Sequence, residues 1–306
     1  MKSTFSFFRC LLSPLSLLAA LTILSLSCGH PKKELNIMTF NIRYDNPADA
    51  PNAWTNRREH VARTILRHNI DIVGFQEVLN GQLNDLKALL PEYDCFGVGR
   101  TDGAEAGEYC PVFYKRSRFK LEDSACFWLS ETPDAPGSKG WDAACERIVT
   151  CTRLSDADAN ADADADADAS RRQILFVNTH LDHVGAVARK ESVALLLRKI
   201  GEMRKGAPVI LVGDFNAPPD NEIISGFTRA SDTLRLTHVL QSAALKTGAA
   251  WTFHAFGALP EEQRSLIDYI FADPQFETLS HNVLPASTDN GVFLSDHCAV
   301  SARLKY

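Results

Sequence analysis

Residues Pro208–Ala217 read PVILVGDFNA: an apolar run, a glycine, then an acid and an amide two positions apart. Val209–Val212 has the composition of a buried strand, and side chains at i and i+2 of a strand share a face. Asp214 and Asn216 are thus aimed together from the mouth of a sheet. Read alone, the pair is an ordinary turn, because Asp and Asn favour turns and Pro218-Pro219 follows. Five other segments change that reading. Asn41 closes a strand in IMTFNIRYD, Glu77 in DIVGFQEV and His180 in FVNTHLDH, while Asp268 opens IDYIF and Asp296-His297 precede the last strand in LSDHCAV. Any one of these has an ordinary explanation. Six elements that each place a hard oxygen ligand or an imidazole at a strand end point to a shared site on the loops above an α/β sheet.

The intervening sequence supports an α/β fold. Leu35–Phe40, Asp71–Phe75, Gln173–Thr179, Pro208–Gly213, Leu266–Phe271 and Cys298–Leu304 read as strands. Ala53–Arg67, the Leu79–Leu90 region and Ala186–Met203 carry apolar residues at helical spacing, and Tyr109–Leu154 reads mainly as strands. Residues 156–170 stand apart: an alternating Asp/Ala tract too poor in apolar surface to pack is read as a solvated, disordered loop between two strands. It lacks the glycine turn and spaced carbonyls of a calcium loop.

The first 27 residues have the form of a signal peptide. Lys2 and Arg9 precede an almost uncharged Leu/Ser-rich run, Leu11–Leu26, which contains Pro14 and is too short for a membrane span. Ser25-Leu26-Ser27-Cys28 resembles a bacterial lipobox, with Ser25 where Leu is usual. The reading is an exported chain, periplasmic or anchored to the outer membrane through lipid on Cys28, with secretion as the alternative. Residues 34–306 are read as one domain and as a monomer. Removing the leader leaves 30 basic against 38 acidic residues, and no dense basic stripe remains to clamp nucleic acid. Six cysteines remain in the domain. Sequence does not choose between disulfides and unpaired core thiols, and Cys145 and Cys151 read as members of one strand.

The ordered set Asn, Glu, His, Asp-x-Asn, Asp, Asp-His resembles that of the endonuclease/exonuclease/phosphatase superfamily, from about Leu35 to Leu304. FNIRYDN (40–46), AWTNRR (53–58) and THLDHVGAVAR (179–189) are similar to a bacterial secreted branch of it. The resemblance implies a four-layer α/β sandwich, two mixed sheets face to face with helices outside. It also implies hydrolysis of a phosphate ester, a phosphodiesterase or phosphatase reaction, with Mg²⁺ (or Mn²⁺) as cofactor. It implies Glu77 as principal metal ligand with Asn41 and Asp296; Asp45, four residues after Asn41, is a further candidate by its position. Asp214 would position or deprotonate water, Asn216 would donate to phosphoryl oxygens, and His297 would act on the phosphate, oriented by Asp268. His180 would face the scissile phosphate or leaving oxygen. Arg147, Tyr109, His183, Trp54 and Arg57 are candidate substrate contacts. A nuclease of deoxyribonuclease or deadenylase type is the alternative substrate reading. A catalytically inactive, membrane-anchored binding protein is the alternative of another kind. A zinc hydrolase lacks its histidine cluster.

Overall fold

The computed structural model describes residues 33–157, 173–229 and 234–306, together with Met1. The rest of the leader, Cys28 and all but the first two residues of the Asp/Ala tract lie outside these. Among the described residues thirteen strands run in chain order: β1 Glu34–Asn41, β2 Ile72–Gln76, β3 Tyr93–Phe96, β4 Val112–Lys115, β5 Phe119–Trp128, β6 Ile148–Asp156 and β7 Gln173–His180. They continue with β8 Val209–Asp214, β9 Thr237–His238, β10 Leu245–Thr247, β11 Asp268–Ala272, β12 Glu277–Val283 and β13 Val300–Lys305. The long helices are α1 Trp54–Arg67, α2 Asn80–Leu89 and α3 Ala186–Met203. One sheet has the order β10-β12-β13-β1-β2-β4-β3 and the other β5-β6-β7-β8-β11-β9. Both are mixed: β1 is parallel to β2 and antiparallel to β13, and β8 is parallel to β7 and antiparallel to β11.

The alternation of side chains along each strand sorts the apolar residues into three layers. Ile37, Ile72, Val112, Phe176, Ile210, Val212, Ile270 and Val300 meet between the sheets. Met38, Phe40, Val73 and Phe75 point the other way, onto α1 and α2, where Val61, Ile65, Leu83 and Leu86 cover them. Leu175, Val177, Leu211, Tyr269 and Phe271 pack against α3 through Val193, Leu196 and Ile200. Helices, sheet, sheet and helix form the four layers, so the sandwich implied by the resemblance is the observed architecture.

This parity also builds the site. Asn41, His180, Asp214 and Asp268 fall on the between-sheet face of β1, β7, β8 and β11, each at the end of its strand. In the second sheet the register sets His180 beside Asp214 and Asp214 beside Asp268. The core between the sheets therefore becomes a row of polar groups at one rim. Gly213 lets the row close up, because a Cβ there would stand 2.1 Å from the Thr179 carbonyl oxygen. Just inside the rim, Gln76 Nε2 donates to Asn178 Oδ1 (2.6 Å), and Asn178 Nδ2 donates to the Phe75 and Pro111 carbonyls (2.7 and 3.0 Å). This buried amide pair ties the two sheets together at the floor of the site.

Three details depart from the sequence reading. Asp156 is the last residue of β6 rather than the first of a loop: it is fully buried and accepts from Arg118 Nη2 at 2.7 Å. A carboxylate at the edge of a solvated tract has become a buried ion-pair partner. Cys145 lies before β6, in a loop, and does not share a strand with Cys151. All six cysteines of residues 95–298 are free thiols. The strands β3, β9, β10 and β12 have no counterpart in the sequence reading: the first three are very short, and ETLSHNV of β12 shows little apolar alternation.

Candidate active site

Glu77, Arg147, His180, His183, Asp214, Asn216, Asp296 and His297 line one cleft of about 670 Å³ at the rim, with Asn41 and Asp268 buried directly behind it. His297 Nδ1 lies 2.9 Å from Asp268 Oδ2, and its Nε2 lies 3.8 Å from Asp214 Oδ2. Burial alone lowers the pKa of this imidazole, but the charges of Asp268, Asp214 and Asp296 outweigh it and hold the ring's pKa well above its ordinary value. Burial, together with the charge of Asp268, pushes the Asp214 carboxyl up to about 7, while His297 and the donors Asn216 and Asn41 offset part of the rise. The unit is thus an imidazolium clamped by Asp268 with a poised carboxyl beside it.

His180 is the opposite case. Burial first, then the cations Arg147 and Arg100, lower its pKa well below the ordinary value, so the ring is neutral. The Asn216 amide donates to His180 Nε2 (2.9 Å) and to the Leu181 carbonyl (3.0 Å). Both Asn216 hydrogens are thereby engaged inside the protein, whereas the resemblance assigns them to the phosphoryl oxygens. Asn216 positions His180, and its own N–H caps Asp214 Oδ1 at 2.9 Å.

A second group of acids faces the same cleft. Asn41 Nδ2 donates to Glu77 Oε1 and to Asp214 Oδ2, both at 3.0 Å, and the Tyr44 N–H donates to Glu77 Oε2 at 3.2 Å. Asp296 Oδ1 accepts from Ser295 at 3.1 Å. Burial raises the pKa of Asp296, with Glu77 adding to the rise and His297 and Arg43 opposing it. The Arg43 guanidinium stands 4.0 Å from Glu77 Oε2 and 3.9 Å from Asp296 Oδ2, held there by Asp49 at 3.0 Å. Two neighbouring carboxylates with only a distant guanidinium between them form a hard-oxygen set that fits Mg²⁺ or Mn²⁺. Asp214, Asp268 and His297 are a second compact group of metal-ligand types, with ligand atoms within 4.8 Å of one another. His297 Nδ1 is committed to Asp268, which leaves only Nε2 of the ring to face a ligand. The Glu77–Asp296 pair faces the cleft and is not committed to an imidazole. Asn41 stands beside it as a donor bridging Glu77 and Asp214, with its oxygen accepting the Arg43 N–H at 3.0 Å.

Four candidates fall elsewhere. Asp45 is exposed, lies outside the cleft lining, and donates its N–H to Gln82. Tyr109 is buried with its hydroxyl on the Ala104 carbonyl. Trp54 is buried, its indole N–H on Asp85 at 2.8 Å. Arg57 is fully buried and donates to the carbonyls of Asn52, Ile42, Leu294 and Arg43. Trp54, Arg57 and Tyr109 are buried away from the cleft lining, and AWTNRR turns Trp54 and Arg57 inward as the anchor of α1. Arg57 ties the loop after β1 to the segment before Asp296. Arg57→Met is expected to destabilise the fold by about 3–5 kcal/mol, since four carbonyls lose a charged donor. Urea titration checks this; an unchanged midpoint with weakened substrate binding would restore the role of substrate contact.

Arg147 and His183 are in the cleft as expected, joined at 3.0 Å. Asp182 positions them. It accepts from Arg147 Nε and from the N–H groups of Ala144, Cys145, Val184 and Gly185. Burial opposes its charge, but those backbone donors hold its carboxyl well below the usual range. The sequence reading missed Arg43, Asp182, Arg100 and Glu108. The Asp in THLDH, two residues after the expected histidine, was a usable signal; Arg43 lies within the quoted FNIRYDN, and nothing marked its role.

Residues 38–297 match the Endonuclease/Exonuclease/phosphatase family. A crystal structure of an endonuclease/exonuclease/phosphatase from Bacteroides vulgatus is 41% identical, with a TM-score of 0.82 over 89% of this chain and 99% of that one. A mannosyl-6-phosphatase from Bacteroides thetaiotaomicron is 32% identical, with a TM-score of 0.77 over 89% and 100%. Human Nocturnin is 26% identical over 237 residues, 71% of this chain. The chain spans 48% of that protein and 27% of Drosophila melanogaster Nocturnin, so it covers half or less of the curated relatives it matches. Family, fold and a rim of acids and histidines agree: the chain belongs to the Endonuclease/Exonuclease/phosphatase family and is a phosphoesterase-class hydrolase, of a family whose enzymes generally depend on a divalent metal.

Proposed function

We propose that this protein hydrolyses a small, diffusible phosphate monoester, a sugar phosphate, with Mg²⁺ (or Mn²⁺), and that it acts as an exported monomer held to a membrane by lipid on Cys28. The observation that carries the chemistry is the buried Asp268–His297–Asp214 row opening into the same cleft as Glu77 and Asp296. Glu77 and Asp296 would hold the divalent ion, which when bound would supply positive charge to the phosphoryl oxygens. Asp214 takes a proton from the attacking water, and the Asn41 amide keeps its carboxylate aimed at the cleft. His297 donates from Nε2 to the phosphate or its leaving oxygen while Asp268 fixes the ring through Nδ1. Arg147 and Arg43 add charge to the cleft wall. Similarity to the mannosyl-6-phosphatase supports a sugar phosphate, and the absence of a dense basic stripe favours it over nucleic acid. Export and lipidation rest on Lys2, Arg9, the apolar run Leu11–Leu26 and Cys28.

The test is phosphate release by the purified chain from hexose phosphates, inositol phosphates, phospholipids, RNA and DNA, with Mg²⁺ and with EDTA. Metal-dependent release from sugar phosphates above all others is expected. Preferred cleavage of RNA or DNA would install the nuclease reading, and no release from any substrate would install the inactive binding protein.

A further inference from the structure

Arg100 and Glu108 line the same cleft as the catalytic groups, and nothing in the chemistry above employs them. Arg100 Nη1 donates to Glu108 Oε2 and Nη2 to Oε1, both at 2.8 Å, with 14% and 18% of the two side chains exposed. A carboxylate is an odd lining for an anion pocket. Burial and the nearby Glu77 disfavour its charge, Arg100 opposes them, and the carboxylate itself would repel the substrate phosphate. A cleft built only to hold phosphate gains nothing from it.

The pair does suit hydroxyl groups. The fork uses two of five guanidinium hydrogens and one lone pair on each carboxylate oxygen, so donors and acceptors remain side by side. A sugar hydroxyl needs just that: one acceptor for its hydrogen and one donor for its oxygen. The loop is already shaped for the task. The Arg100 N–H donates to the Glu108 carbonyl at 3.1 Å, and its carbonyl accepts from Trp128 Nε1 at 2.6 Å. Gly107, at φ 83°, permits a close approach in which a Cβ would lie 2.3 Å from Thr101 Oγ1. Little ordering remains for binding to impose.

We infer that Arg100 and Glu108 form a hydroxyl-recognition subsite that selects a sugar or polyol phosphate by the hydroxyls next to its phosphoryl group. This rests on the reading of the protein as a small-molecule phosphoesterase. Charge and recognition then act with opposite signs. Glu108→Gln removes a negative charge near the phosphate, which favours any anionic substrate, yet it breaks the fork that reads the sugar.

The experiment compares a hexose 6-phosphate with p-nitrophenyl phosphate, which has no hydroxyls, in wild type, Glu108→Gln and Arg100→Lys. KM for the hexose phosphate is expected to rise on the order of 10- to 100-fold in both variants, with kcat changed far less. In Glu108→Gln, KM for the aryl phosphate is expected to stay level or fall. Equal losses on both substrates, or no loss on either, would overturn the assignment. Calorimetric binding of the hexose phosphate to the EDTA-treated chain separates this from the enzymatic reading. Weaker binding in the variants without turnover in wild type retains the subsite and rejects the phosphatase. Aryl phosphate turnover with unchanged hexose phosphate binding does the reverse.

Discussion

His297→Ala is expected to lower kcat by a factor on the order of 10² to 10⁴, the usual contribution of a positioned acid–base group, and to leave Mg²⁺ affinity within about twofold. The two parts follow from one arrangement. The ring is clamped at 2.9 Å by Asp268 and stands 3.8 Å from Asp214, and the proposed reaction uses it for proton and phosphate chemistry rather than as a metal ligand. Asp268→Asn is expected to cost less, since a ring in nearly the same place loses only its charged partner. Removing the imidazolium also strands two buried carboxylates, and His297→Ala should melt lower than wild type. His297→Gln, which can still donate to Asp268, isolates the chemical loss from the structural one. Steady-state kinetics with calorimetric Mg²⁺ titration check the pair of expectations. A collapse of metal affinity in His297→Ala would make the histidine a ligand.

Glu77→Gln is expected to give the complementary result. Metal affinity and kcat/KM should fall together by about 10- to 100-fold, and activity should recover in part as Mg²⁺ is raised toward tens of millimolar. Glu77 carries one of the two charges facing Arg43 across the cleft. With that charge gone, Arg43 neutralises Asp296 more completely, and an entering ion finds a weaker field. His297→Ala should show no such rescue. An equal loss without rescue in Glu77→Gln would place Glu77 in proton transfer.

Much of this site was legible because strands alternate. Asn41, His180, Asp214 and Asp268 sit at strand ends on one face, and both the ends and the parity follow from runs such as ELNIMTFN and VILVGD. What the sequence hid lies in loops without a period. Glu108 reaches Arg100 only because a glycine-rich loop folds back on itself, and charge alone does not announce that. Arg43 takes its place from a left-handed backbone, φ 58°, on a residue that rarely adopts one. Trp54, Arg57 and Tyr109 misled in the other direction. They lie near site motifs in the chain, but large side chains at the start of a helix or beside a bridge are as useful to the core as to a substrate. Asp156 shows the same limit, since composition placed it with its alanine-spaced neighbours while β6 claimed it as a buried partner for Arg118.

Mn²⁺ anomalous diffraction from a soaked crystal distinguishes the roles of the two acid groups. A single strong peak within coordination distance of Glu77 and Asp296, with the Arg43 guanidinium displaced from between them, is the expected result. A peak inside the Asp214–Asp268–His297 triangle, with Arg43 still beside Glu77 and Asp296, would contradict it.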